Sequence, residues 1–346
     1  MKPVAILASG MVTGVGLNSA SSCAAIRCAI DNFSETRFID KGGEWIIGSQ
    51  VEQEQPWRGM PKLVHMVAPA IKECLMHAGS VTPDRIPLLL CVAEKERPGR
   101  IEGLNEQLFS DVQTELGARF HHRSGVISKG RVGGAMALAQ ACKLIHEEGI
   151  PLCIIAGVDS FLVAETLAAY EGKNRLLTSQ NSNGFIPGEA GAAILVGPFV
   201  ESSQPAPQLL CLGIGTGQEK ATIDSEAPLR ANGLVQAFKE AFADAGCGFE
   251  QVDYRQTDAN GEQYWFKEAA LAMTRSMRIR KQNFYLCHTA DCVGEIGAAA
   301  APCALAVALA AARKNYAFGP GALCHFGNDA GDRAAIIVRI SERRQN

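Results

Sequence analysis

Apolar positions along this chain fall into two alternating kinds of segment. Short aliphatic and β-branched runs occur as VAIL at 4–7, IPLLLCVA at 86–93, LCIIAG at 152–157, AAILVG at 192–197, LLCLGIG at 209–215 and AAIIVRI at 334–340. Their length and their Gly, Pro or polar boundaries predict strands. Between them, apolar residues recur at helical spacing, as in AMALAQACKLI at 135–145, closed by Gly149 and Pro151, and LVQAFKEAFADA at 234–245, closed by Gly246. Strands alternating with helices predict an α/β protein.

A polar stretch with two prolines, ESSQPAPQ at 201–208, divides the pattern into portions of similar order. Each opens on a strand running into glycines (AILASGMVTGVG, then LCLGIGTGQ) and closes on an aliphatic strand (GEAGAAILVG, then GDRAAIIVRI). This predicts an internal duplication with halves at 1–200 and 209–346. The stretch GAAAAPCALAVALAAA at 297–312 is under 18 residues and is interrupted by Pro302, so it predicts a buried helix and no membrane span. Its small side chains suit a helix held closely between two sheets. The charged run KEAALAMTRSMRIRK at 267–281 predicts an amphipathic helix with a solvated face.

Composition narrows the classes. With 346 residues, 47% of them hydrophobic, the chain can bury a large core. Thirty-three basic against 36 acidic residues leave a charge of −3, which argues against nucleic acid as a partner. The 12 cysteines form no CxxC pair and sit in apolar settings such as PLLLCVAE (Cys91) and PLCIIAG (Cys153), so reduced thiols in a cytoplasmic setting are expected. The opening MKPVAILASGMVTGVG predicts a strand and glycine loop, not a secretory leader. Gly10, Gly14 and Gly16 do not make a dinucleotide fingerprint, and His121 and His122 lack carboxylate or cysteine neighbours. No cofactor and no metal are expected.

Four segments, VAILASGMVTGVGLN at 4–18, NGFIPGEAGAAILVG at 183–197, CVGEIGAAAAPCALAVALAAA at 292–312 and CHFGNDAGDRAAIIVRI at 324–340, together resemble the β-ketoacyl synthase branch of the thiolase superfamily. The resemblance implies the thiolase fold, with duplicated βαβαβ halves forming a five-layered αβαβα sandwich. It also implies a nucleophilic cysteine at the head of a buried helix, where the helix N-terminus favours a thiolate. Two histidines on loops of the second half would stabilise the oxyanion.

Counting from Gly149 and the strand IIAG puts the nucleophile position at Val132; a slip of one or two residues meets Gly130, Arg131, Gly133 or Gly134, none of them a thiol. Cys142 lies about ten residues further on, some ~15 Å along a helix. The histidine positions fall at Asn260 and Gly294, flanked by Asp258 and Glu262 around the first. An amide donates a hydrogen bond but relays no proton, and glycine offers no side chain.

The resemblance therefore implies a degenerate, non-catalytic ketoacyl synthase-like protein that binds an acyl group or a partner protein. That partner would be a second copy or a related synthase, met through the strand at 125–129, with acyl carrier protein or acyl-CoA as further ligands. The alternative is a divergent acyltransferase or thioester-processing enzyme using Cys324 or Cys292, with His288 or His325 beside the thiol. Cys324 stands where degradative thiolases carry a second cysteine, and its place at a strand end equally reads as a small buried side chain. Glu189 in PGEAGAA is expected to hold a turn. A third expectation is a pocket filled by large side chains such as Phe326 and Trp265.

Overall fold

The computed structural model describes residues 2–200 and 207–341. Most of the expected linker, 201–206, lies outside the described residues. In chain order the elements are β1 (Val4–Thr13), α1 (Ser19–Arg27), β2 (Phe33–Ile39), β3 (Trp45–Ser49), α2 (Gly59–Leu75), β4 (Leu88–Val92), α3 (Leu108–Leu116), β5 (Gly125–Ser128), α4 (Gly133–Glu147), β6 (Cys153–Ser160), α5 (Ala164–Gly172) and β7 (Glu189–Pro198). They continue with β8 (Leu209–Gln218), α6 (Asn232–Ala245), β9 (Tyr254–Thr257), α7 (Gln263–Ser276), β10 (Leu286–His288), α8 (Ala290–Val293), α9 (Ala300–Arg313), β11 (Gly321–Gly327) and β12 (Asp332–Ile340).

Ten strands form one ladder in the order β10-β9-β11-β12-β8-β1-β7-β6-β4-β5, with β2 and β3 as a separate hairpin. The order is the same read outward from the centre in either direction, and so are the strand senses. β4 runs parallel to β5 and β6 as β9 does to β10 and β11, while β7 and β12 are antiparallel to both their neighbours. The duplication expected from the sequence is thus written in the topology. Among the described residues, the two sets of five strands pair only through Val4–Ile6 of β1 against Leu209–Cys211 of β8.

Strand residues alternate between an inner and an outer core. Cys153 and Ile155 of β6 and Ala334, Ile336 and Val338 of β12 enter the same inner cluster as α4 and α9. Ile154, Ala156 and Val158 pack outward on α2 and α3, and Ala335 and Ile337 on α6 and α7. The layers are therefore helices, sheet, the α4–α9 pair, sheet and helices. Strands covered on both faces explain the near-continuous apolar runs.

Pro302 falls in the first turn of α9, where its missing N–H breaks no helical bond, so it opens the helix instead of breaking it. The run at 267–281 is helical only to Ser276, and 277–281 leave the helix on the way to β10.

Gly157 of β6 faces the turn before α9 so closely that a Cβ there would overlap the Ala298 carbonyl oxygen. Backbone cannot yield as a flexible side chain would. Gly157→Ala should lower stability by about 2–3 kcal/mol in urea unfolding, and a neutral result would mean that the two halves are less tightly apposed.

Candidate functional site

Each of the two central helices begins with a 3-10 turn that opens on a left-handed glycine: Gly130 (φ +53°) before α4 and Gly297 (φ +50°) before α9. A side chain at either would collide with an acid, Glu94 in the first case and Asp159 in the second. The two helix heads point into a common region, and the chain fills it with charge.

Arg131 occupies the turn before α4, 6% exposed, with its guanidinium over the Trp265 ring at 4.0 Å. It reaches Glu295 at 3.3 Å, Asp329 at 3.5 Å and Asp258 at 3.6 Å. Asn260 donates to Glu295 at 2.5 Å, and Glu295 accepts the Gly297 N–H at 2.8 Å. Arg175 clasps Glu262 through Nε and Nη2 at 2.6 and 2.9 Å and Asp329 at 2.6 Å, while Tyr170 donates to Asp329 at 3.2 Å. On the α9 side, Arg97 joins Glu94 at 3.1 Å to Asp159 at 2.9 Å, and Asp159 accepts the Ala298 N–H at 3.0 Å. Phe161 and Phe185 stack edge-on at 5.4 Å over the cluster, with Arg97 lying 3.9 Å above Phe161.

Three guanidinium groups (Arg97, Arg131, Arg175) thus face six carboxylates (Glu94, Asp159, Asp258, Glu262, Glu295, Asp329). Burial alone would favour uncharged arginine at 131, but Glu295, Asp258 and Asp329 overcome it and hold the proton more firmly than usual. Burial raises the carboxyls of Asp159, Asp258 and Glu295 against the opposing pull of Arg97 or Arg131. At Asp329 burial loses, and Arg175 with Arg131 keeps the carboxyl down at about 2. The space left among Arg131, Arg175, Tyr170, Phe185, Asn260 and Glu295 is about 10 Å³, room for about one water.

Of the three former catalytic positions only Asn260 brings its side chain into this cluster, together with the flanking Asp258 and Glu262. Val132 is 1% exposed and packs into the inner core, so the neighbouring Arg131 is what the turn presents to the site. Gly294, with φ +68° and the Ile186 carbonyl 2.6 Å from where a Cβ would stand, has no space for a side chain. Glu295, next along, projects into the site.

Cys324 and His325 are neighbours on β11 but lie on opposite faces. Cys324 is 0% exposed in the inner core, and burial pushes its thiol up to about 12. His325 faces outward, 3.2 Å from Thr257 Oγ1 and edge-on to Phe238 at 5.6 Å, with burial driving its pKa down to about 3. Cys292 packs among Val293, Ile296 and Cys303, its thiol raised to about 11 by burial. His288 lies on the edge strand β10, 3.1 Å from Asp291 without hydrogen-bond geometry, its ring against Phe266. Phe326 fills core, while Trp265 does cover the site, sandwiched between Arg131 and, at 5.1 Å, Arg333. Glu189, expected to hold a turn, is the first residue of β7 and ties that strand to other elements, accepting from Val51 N–H at 2.9 Å and Ser160 Oγ at 2.8 Å and pairing with Lys62 of α2.

Arg97, Arg175, Glu295, Asp159 and Asp329 were not singled out from the sequence. The signal for two of the network's members was local: Arg131 in KGRVGG and Glu295 in VGEIGA are charges set between glycines.

Arg131→Ala should cost about 3–5 kcal/mol in chemical unfolding, because Glu295 and Asp258 lose their shared cation, and Arg131→Met should cost less. His325 gives a separate test. Its pKa lies near 6.5 unfolded and about 3 folded, so its stabilising contribution is complete above pH 6.5 and is lost as pH falls towards 3. Stability measured between pH 6 and 4 should fall less steeply in His325→Gln, by up to ~1.4 kcal/mol per pH unit. Parallel profiles would contradict the buried neutral imidazole.

No protein-family model matches the sequence, and no curated protein does at a significant level. Solved structures do. The chain is similar to the ketosynthase ApeO in complex with its chain length factor ApeC from Xenorhabdus doucetiae, at TM-score 0.74 and 14% identity, covering 98% of both chains. It is similar to a type II polyketide ketosynthase, bound to the hexaketide, in complex with its acyl carrier protein, at 0.80 and 14%, covering 98% of this chain and 99% of the other. The ketosynthase from module 6 of the bacillaene synthase of Bacillus subtilis 168 matches at 0.77 and 12%, over 100% of this chain and 73% of that one. The chain therefore has the thiolase fold in its ketosynthase form.

Proposed function

We propose that this protein is a non-catalytic member of the ketosynthase-fold proteins, acting through association with a second copy of itself or with a related synthase. The observation that carries the reading is the buried guanidinium of Arg131 at the head of α4, held by Glu295, Asp258 and Asp329. A condensing site needs a thiolate there and proton-relaying imidazoles beside it. Here the helix head offers a permanently charged cation, and Asn260 and Glu295 stand opposite. A remaining volume of about 10 Å³ cannot take an acyl chain, so an acyl group is not expected within this chain's own cavity. The alternative of a thioester-processing thiol at Cys324 or Cys292 finds little support, because both sulfurs are buried and strongly biased towards the protonated form.

Association is supported by the free edge of β5, whose four residues are all half-buried and, among the described residues, pair only with β4. Beside it lies a groove of about 370 Å³ between His122–Ser124 and the α4 face bearing Gln140, Lys143 and Glu147. Its mixed charge suits a contact repeated across a twofold axis. Among the solved neighbours are ketosynthases paired with chain length factors, which makes a heterodimer with a related synthase the natural counterpart.

Intact mass spectrometry after incubation with acyl-CoA and acyl-carrier-protein donors should reveal no adduct. A stoichiometric adduct that vanishes in Cys324→Ala or Cys292→Ala would overturn the non-catalytic reading. Sedimentation of the protein, alone and coexpressed with a ketosynthase, should give a dimer in at least one case, and a monomer in both would remove association through β5.

A further inference from the structure

The ladder has a second free edge. By the internal duplication β10 is the counterpart of β5, and among the described residues it too pairs on one side only. Leu286 stands opposite Arg255 and His288 opposite Thr257, and the Arg255 N–H donates to the Tyr285 carbonyl at 2.8 Å. Backbone groups alternate in direction along a strand, so Tyr285 and Cys287 bond towards β9 while Leu286 and His288 turn theirs outward. An edge of this kind is a template for another strand unless it is covered.

Its surroundings have a particular chemistry. Tyr285 (49% exposed) and Phe318 (56% exposed) stack at 4.4 Å, with Tyr254 edge-on to Phe318 at 6.0 Å, and Ile279 is 39% exposed on the segment leading into the strand. Between Glu268 and Asp291 the chain carries no carboxylate but holds Arg275, Arg278, Arg280 and Lys281. Lys281 and Arg255 lie over the same Phe284 ring at 5.4 and 5.1 Å. Arg275 spends its donors on the Arg230 carbonyl and Asn232, and Arg278 on the Thr274 carbonyl. Among the described residues no carboxylate forms an ion pair with these cations; Asp253 accepts from the Gly321 N–H, and Asp291 lies 3.1 Å from His288. In a chain of net charge −3 this is a local excess of positive charge beside aromatic surface and unpaired backbone.

We propose that this edge receives an extended, acidic segment of a partner protein, which adds to β10 as a strand. Its apolar side chains rest on Tyr285 and Phe318, and its carboxylates face Arg278, Arg280 and Lys281. With outward backbone groups only at Leu286 and His288, the aromatic shelf and the cations supply most of the attraction, so binding is salt-sensitive. The inference does not depend on the loss of ketosynthase chemistry.

The test uses the full chain and a fluorescein-labelled ten-residue peptide of alternating Glu and Val, read by anisotropy at ~0.05 and ~0.5 M salt. Binding should appear at low salt, weaken about tenfold at high salt, and weaken at least tenfold in the triple variant R278E/R280E/K281E. A Lys/Val peptide should not bind. Leu286→Pro, which removes an outward N–H, should lose binding while its unfolding midpoint is unchanged. Should that variant fail to fold, hydrogen exchange of the native protein decides, with peptide-dependent protection expected at Leu286 and His288. No binding of the acidic peptide, equal binding of the basic one, an unaffected triple variant or protection confined to other segments would each overturn the proposal.

Discussion

The close contact between α4 and α9 is the constraint on which the rest of this structure depends. A Cβ on Gly134 would stand 2.8 Å from both Ala301 Cβ and Pro302 Cδ, so the helices meet only because one presents no side chain. This proximity lets two five-stranded sets cover the same helix pair from opposite sides, and it accounts for the alanine-rich composition of α9. It also brings the two helix heads together and fixes where chemistry can occur.

At that meeting point the protein carries a buried ionic network. Arg131 and Arg175 come from the first half and Glu262, Glu295 and Asp329 from the second, so the pairs tie one half to the other. Desolvating so many charges is expensive, and an ion pair of this kind adds little net stability compared with apolar packing. Its effect is specificity of arrangement: removing one partner strands the others. A site fixed in this way leaves about 10 Å³ of free space among its side chains.

The cysteines and histidines show how pleating overrides adjacency. Cys324 and His325 are consecutive, and because side chains alternate across a strand they enter separate cores, one between the sheets and one against Phe238. Neither is placed to assist the other. The thiols that do occupy the interior behave as small apolar groups, as their apolar sequence settings imply.

How much of this was legible beforehand depends on the range of the interaction. Aliphatic runs at 152–157 and 334–340, the glycine that ends α6 and the repeated order of segments were enough for the α/β class, the duplication and the resemblance to the thiolase fold, since all are local or periodic properties. The absence of a thiol anywhere from Gly130 to Gly134 and of histidine at Asn260 was also plain from residue identity. The hairpin β2–β3, the end of α7 at Ser276 and above all the ionic cluster were not. Arg97, Arg131, Arg175, Glu295 and Asp329 lie far apart in the chain, and each is an ordinary charged residue until folding removes water from around it. Identity and spacing determined what the site lacks; only tertiary contact decided what fills it, because electrostatic pairing is set by distance and burial, which no linear pattern records.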